Sequence, residues 1–200
     1  MSGDVIRFYD TFAPLYPVLD IFLHRHKRTL AQRINAQPPG RLLEIGVGRG
    51  EHLRFYKDKT ITAIDPSRGM LAFAQKNAPQ GTELHLMNAE ALAFDDASFA
   101  YAVIAHVLTV VPDPLAVMDE VHRVLAPGGK VFILNRAAAH NAFNRILDPV
   151  VSKVLRFSAG FDEVRTFPHD KFTLLERTCC GIFPNVTLFV LEKTQTNPAE

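Results

Sequence analysis

The run Arg41-Leu42-Leu43-Glu44-Ile45-Gly46-Val47-Gly48-Arg49-Gly50 concentrates residue types suited to holding a small charged ligand. Leu42 to Ile45 is apolar enough for a short buried strand, and glycines at alternate positions end it. Without a Cβ, glycine reaches positive φ and lets a ligand lie against the main chain. A strand feeding a glycine-rich turn that opens a helix is a setting for nucleotide-like ligands. The next apolar stretch, Thr60 to Ile64, ends at Asp65, where a carboxylate can accept hydrogen bonds from ribose hydroxyls. The dinucleotide spacing G-x-G-x-x-G would require glycine at position 51, and Glu51 stands there. Glu44 would repel a pyrophosphate but can accept hydrogen bonds from an ammonium group. The pattern favours a ligand with a cationic amino acid and a ribose but no phosphate.

S-adenosylmethionine has that composition. The E-x-G-x-G-x-G pattern resembles that of the class I S-adenosylmethionine-dependent methyltransferases, and later motifs follow in that family's order. Asp65-Pro66-Ser67-Arg68-Gly69-Met70-Leu71 is similar to its D-x-S-x-x-M-L stretch. Asn88-Ala89-Glu90-Ala91-Leu92-Ala93-Phe94 is similar to its D-A-x-x-L-P-F loop, and Arg123 to Gly129 to its R-V-L-x-P-G-G turn. The resemblance runs roughly from Tyr9 to Leu134. It implies S-adenosylmethionine as cofactor and S-adenosylhomocysteine as product, held by Glu44, Gly46, Val47, Gly48, Gly50, Asp65, Pro66, Met70, Asn88, Ala89, Glu90 and His106. Met70 would pack on the adenine, Asn88 or Glu90 would meet its exocyclic amine, and the Ala89 amide a ring nitrogen. Asn88 replaces the commoner aspartate, and its amide oxygen can still accept. Ala100 stands where the family usually carries aspartate.

The catalytic candidates lie at the pocket mouth. Phe99 to Ala105 is apolar throughout, as in a strand buried on both faces. Ligands of open parallel sheets bind beyond the strand C-termini, so His106 either takes a proton from a substrate or lines the site. Phe8 to Tyr16 resembles the Y-D-x-x-A-x-x-Y-D segment of methyltransferases acting on quinones, lipids and small metabolites. In those families the segment caps the pocket, which makes Tyr9 and Tyr16 lid candidates. Pro17 replaces the segment's second aspartate.

These residues need a scaffold, and the apolar segments supply one. Strands are expected over 42–45, 60–64, 83–87, 99–106, 131–134, 171–178 and 186–193. Helices are expected over 18–35, 68–76, after Pro114 and over 142–157, with helical periodicity also through Leu53 and Phe55-Tyr56 directly after the glycine turn. Pro14 and Pro17 should interrupt the N-terminal helical segment. The expected fold is α/β, a Rossmann-like doubly wound sheet of about seven strands with helices on both faces. The resemblance implies a closing hairpin with the last strand antiparallel in an otherwise mostly parallel sheet. One domain should span 1–200: an N-terminal helical lid over 1–37, a cofactor-binding core over 38–136, and a substrate-side helix with the hairpin over 137–200.

Composition narrows the rest. With 200 residues, 48% hydrophobic and 22% charged, the chain can bury the core of one globular domain. A formal net charge of +1 argues against nucleic acid as partner. Adjacent Cys179 and Cys180 give no disulfide framework, which suits a reducing cytoplasm, and no metal site is expected. Neither a secretion signal nor a spanning segment is expected, and a monomer is.

The acceptor is the open question. His24-Arg25-His26-Lys27-Arg28 lies beside Phe22 and Leu23, and Arg145, Lys153 and Arg156 recur in the helix expected over 142–157. Basic amphipathic helices hold proteins to anionic lipid surfaces. Arg25, Arg28, Arg136 and Arg145 are therefore candidate headgroup contacts, with the protein cytoplasmic and peripheral on the inner membrane face. The chain looks similar to small bacterial phosphatidylethanolamine N-methyltransferases, which implies a lipid amine acceptor. The alternatives are a soluble metabolite or quinone precursor and, from another class, a nucleotide-binding regulator without catalysis.

Overall fold

Consecutive residues of a strand point to opposite faces of its sheet, and in this chain both faces are apolar. Leu43 and Ile45 join one core with Ile64, Ala102, Ile104 and Ile133. Leu42 joins the other with Ala63, Tyr101, Val103 and Phe132. A sheet buried on both faces needs helices on both sides, and the computed structural model has them. It describes residues 16–136, 168–180 and 186–194, with side chains from 26 to 135 in the first segment.

The chain runs from α1 (Tyr16–Asn35) into β1 (Gly40–Ile45), a single 3-10 turn (Leu53–Phe55) and β2 (Lys59–Asp65). Next come α2 (Arg68–Asn77), β3 (Glu83–Leu86), β4 (Phe99–Ala105), α3 (Pro114–Val124) and β5 (Leu125–Arg136). A hairpin of β6 (Phe172–Cys179) and β7 (Val186–Lys193) closes the sheet. Its order is β3-β2-β1-β4-β5-β7-β6. The first five strands pair in parallel, while β7 inserts antiparallel between β5 and β6. Val117, Met118, Val121 and Val124 of α3 pack on one face. Leu30 and Ile34 of α1 and Ala74 of α2 pack on the other. The expected doubly wound fold with its antiparallel last strand is the fold observed.

Several details depart from the sequence reading. Pro17 does not break α1; it lies in the first turn, where the missing N–H has no intrahelical partner to lose. No helix follows the glycine turn beyond Leu53–Phe55. Eight residues separate Gly50 from β2, and Asn35 fixes the connection by donating to Phe55 O at 2.8 Å and accepting from Lys57 N at 2.9 Å. Asp58, at φ 55°, then turns the chain into β2. The Pro127-Gly128-Gly129 turn comes just past the end of α3 at Val124. It is an irregularity inside β5, between the pairs Phe99–Leu125 and Tyr101–Lys130. A Cβ at Gly129 would meet Ala126 O at 2.8 Å, so only glycine fits there. The helix expected over 142–157 lies outside the described residues.

Candidate functional site

Four neighbouring strands, β3, β2, β1 and β4, end on the same edge of the sheet, and a cleft of about 1000 Å³, open mouth included, lies above them. Asn88 and Ala89 line it after β3, Asp65 and Pro66 after β2, Gly46 to Gly50 after β1, and His106 after β4. Met70 of α2 and an apolar wall of Met87, Val107, Val110 and Val111 complete the enclosure. The switch from β1 to β4 is where a doubly wound sheet binds its ligand.

The three glycines of the turn serve different ends. All have positive φ, at 72°, 56° and 72° for Gly46, Gly48 and Gly50. A Cβ on Gly46 would lie 2.3 Å from Val107, and one on Gly50 would lie 3.0 Å from the Ala74 backbone. These two let neighbouring elements close on the turn. A Cβ on Gly48 meets nothing within 4 Å, so its bare backbone faces open space in the cleft wall. Asp65 holds the turn in place: its Oδ2 accepts from Gly48 N at 2.9 Å and its Oδ1 from Ser67 N at 2.9 Å. Ser67 in turn caps α2, accepting from Met70 N at 3.1 Å.

Two expected ligand contacts point elsewhere. Glu44 is fully buried and does not line the cleft. Its Oε1 is 2.8 Å from His52 Nε2, and its Oε2 accepts from Tyr56 Oη at 3.0 Å. The cause is strand parity: Glu44 shares a face with Leu42, beneath α1 and the 3-10 turn. Burial, reinforced by the Glu44 carboxylate, raises the Tyr56 pKa well above that of an ordinary phenol, so the hydroxyl stays a donor. Glu90 also lies outside the cleft wall. It accepts from Asp113 N at 3.1 Å and from Asn88 Nδ2 at 3.1 Å, bracing the loop that follows β3.

Several lining residues were missed, His52 and Lys27 among them. His52 lines the cleft, and its only sequence signal was a polar residue two positions beyond the last glycine of the turn. Lys27 of α1 lines it too, although the sequence reading gave it to a lipid-facing cluster. That cluster is divided: His26 is buried with Leu30 and Ile34, while Arg28 is exposed and lies over the Phe55 ring at 5.8 Å. The α1 backbone includes Tyr16 and Arg25, and β5 ends at Arg136, but the side chains of these three lie outside the described residues. Tyr9, Arg145 and Arg156 lie wholly outside them.

His106 has φ 60°, uncommon for a residue with a Cβ. Its N–H donates to Leu134 O at 2.8 Å, which extends the β4–β5 ladder and holds this conformation at the cleft.

The cleft fits an adenosyl ligand. It offers a bare backbone at Gly48, a carboxylate at Asp65 and buried Met70, with an Asn88 amide and Lys27 at separate places on the wall. Residues 43–133 match the family described as a methyltransferase domain. Residues 43–133 are thus a methyltransferase domain. It is similar to a phosphatidylethanolamine N-methyltransferase of Cereibacter sphaeroides, 38% identical over 118 residues, covering 56% of this chain and 58% of that one. It is also similar to a demethylmenaquinone methyltransferase of Renibacterium salmoninarum, 31% identical over 137 residues, covering 65% and 57%. The chain thus spans under two thirds of the length of these relatives. In fold, the chain is similar to the N-methyltransferase NodS of Bradyrhizobium japonicum, solved with S-adenosyl-L-homocysteine, with a TM-score of 0.69, 18% identity, and coverage of 86% of this chain and 87% of that one.

Proposed function

We propose that this protein methylates the amine of phosphatidylethanolamine at a membrane surface, towards phosphatidylcholine. The observation that carries this reading is the 38% identity to a phosphatidylethanolamine N-methyltransferase, above the 31% to a quinone-pathway enzyme. S-adenosylmethionine supplies an electrophilic methyl group on a sulfonium. The residues of the chain then have three tasks. Gly48, Asp65, Met70, Asn88 and Ala89 hold the donor along the strand tips. The apolar wall of Val107, Val110 and Val111 keeps water out, so that alignment of the reactants is not lost to hydrolysis or solvation. An amine must also arrive without its proton, and the His106 imidazole, which lines the cleft after β4, would accept it. Tyr9 and Tyr16 would close over the acceptor, and residues 137–200 would shape its side of the pocket. Arg25, Arg28, Arg136 and Arg145 would meet lipid phosphate.

No helix among the described residues is long and apolar enough to cross a membrane. A second reading, methylation of a quinone precursor or another small metabolite, is supported by the matches to demethylmenaquinone methyltransferases. The two readings separate in one experiment. Vesicles of anionic lipid, with and without phosphatidylethanolamine, are incubated with the protein and S-adenosylmethionine, sedimented, and their lipids weighed by mass spectrometry. Mono-, di- or trimethylated headgroups are expected. Absence of both vesicle binding and methylated lipid would reject the lipid acceptor in favour of the small molecule.

A further inference from the structure

The Glu44 carboxylate lies on a sheet face otherwise built from Leu42, Ala63, Tyr101 and Val103, and it has no solvent exposure. Withdrawing a carboxylate from water is costly unless its oxygens are paired, and packing alone would be served by leucine. What the carboxylate does hold is His52, at 2.8 Å from Nε2. Tyr56 bonds its other oxygen and meets the His52 ring edge to face at 6.0 Å, so the imidazole is fixed from two sides. Glu44 is outside the cleft wall and His52 is part of it. Nε2 is therefore committed to the interior, and Nδ1 is the ring nitrogen available to a ligand.

Strand order says which part of a ligand that is. Across the sheet edge, Asn88 follows β3, Asp65 ends β2 and the glycine turn follows β1. With adenine at Asn88–Ala89 and ribose at Asp65, the cofactor's amino-acid end falls at the glycine turn, where Lys27, Gly50, Glu51 and His52 line the wall. We infer that His52, oriented by Glu44, binds the charged amino-acid end of the cofactor through Nδ1. Glu44 then serves the cofactor indirectly, as a positioning residue, rather than by accepting its ammonium group. The inference rests on the cofactor orientation given above.

Two ligands test it by calorimetry. S-adenosylhomocysteine carries the amino-acid end, whereas methylthioadenosine keeps adenine and ribose and ends in a methylthio group. His52→Ala should weaken S-adenosylhomocysteine about tenfold or more, the scale of one hydrogen bond to a charged group. Glu44→Gln, which keeps the shape and removes the charge, should shift the same ligand in the same direction by less. Methylthioadenosine should bind both variants as it binds the wild type. Should His52→Ala not fold, His52→Asn gives the same comparison, because its short amide cannot reach Glu44 and the ligand together. Equal losses for both ligands, or unchanged affinity for S-adenosylhomocysteine, would overturn the inference. Wild-type protein that binds neither ligand would instead overturn the cofactor reading beneath it.

Discussion

Asp65 shows how one side chain at a strand tip can serve both scaffold and ligand. Its Oδ2 accepts from Gly48 N and its Oδ1 from Ser67 N, and in the proposed complex the same carboxylate would also meet the ribose hydroxyls. Asp65→Ala would remove the proposed ligand contact and loosen the glycine turn together. The variant should bind S-adenosylhomocysteine at least ~1.5 kcal/mol more weakly, the low end for a charge-assisted hydrogen bond. Calorimetry that found the affinity unchanged would remove Asp65 from the site. At this scale the sequence was informative about residue types and less so about direction. Gly46, Gly48, Gly50, Asp65, Met70, Asn88, Ala89 and His106 all reach the cleft. Glu44 does not, although its parity with Leu42 already placed it on a covered face. His52 escaped notice because nothing in a lone histidine after a glycine turn says that a buried carboxylate eight residues earlier will orient it.

Among the elements, α3 contributes more than a hydrophobic face. Arg123 uses all five guanidinium N–H groups: to Glu120 Oε1 and Oε2 at 2.9 Å each, Asp96 Oδ1 at 2.8 Å, Phe94 O at 2.7 Å and Leu92 O at 2.8 Å. Glu120 completes the clamp by accepting from Leu92 N at 2.6 Å. The loop that presents Asn88 and Ala89 is thereby tied to α3, which the R-V-L-x-P-G-G resemblance alone did not convey. Arg123→Leu leaves two carbonyls and two carboxylates without these donors. It should cost roughly 2–3 kcal/mol, seen as a fall in Tm of roughly 5–10 °C for a chain of this size. The Arg123 hydrogen bond holds the Glu120 carboxyl below its ordinary 4.5. A depressed folded pKa stabilises above the unfolded value and is lost as pH falls through the folded one, so the gap in Tm should narrow below about pH 4. A gap that stayed constant into acid would show that the carboxylate takes no part. Element types were legible because α3, β4 and β5 follow strong apolar patterns. The missing helix after Gly50 was not, because Asn35, from a different element, fixes that connection.

For the whole molecule, the two-sided apolar pattern of β1, β4 and β5 foretold a sheet covered by helices on both faces, and the order β3-β2-β1-β4-β5-β7-β6 puts the cleft at its reversal. Charge was harder to assign. A basic pentapeptide on a helix looks like one surface in sequence, yet α1 turns His26 into the core and Lys27 to the cleft wall, leaving Arg28 exposed. Any lipid-facing charge on the described part of α1 is correspondingly smaller. All of the functional reading depends on the cofactor lying against the glycine turn, and Gly48 tests that most directly. Its φ of 56° costs a side chain about 1–2 kcal/mol, which the fold can bear, while a Cβ there projects into space the ligand needs. Titration of Gly48→Val with S-adenosylhomocysteine should give no detectable binding, with circular dichroism unchanged from wild type. Wild-type affinity in that variant would contradict the placement of the cofactor and the mechanism built on it.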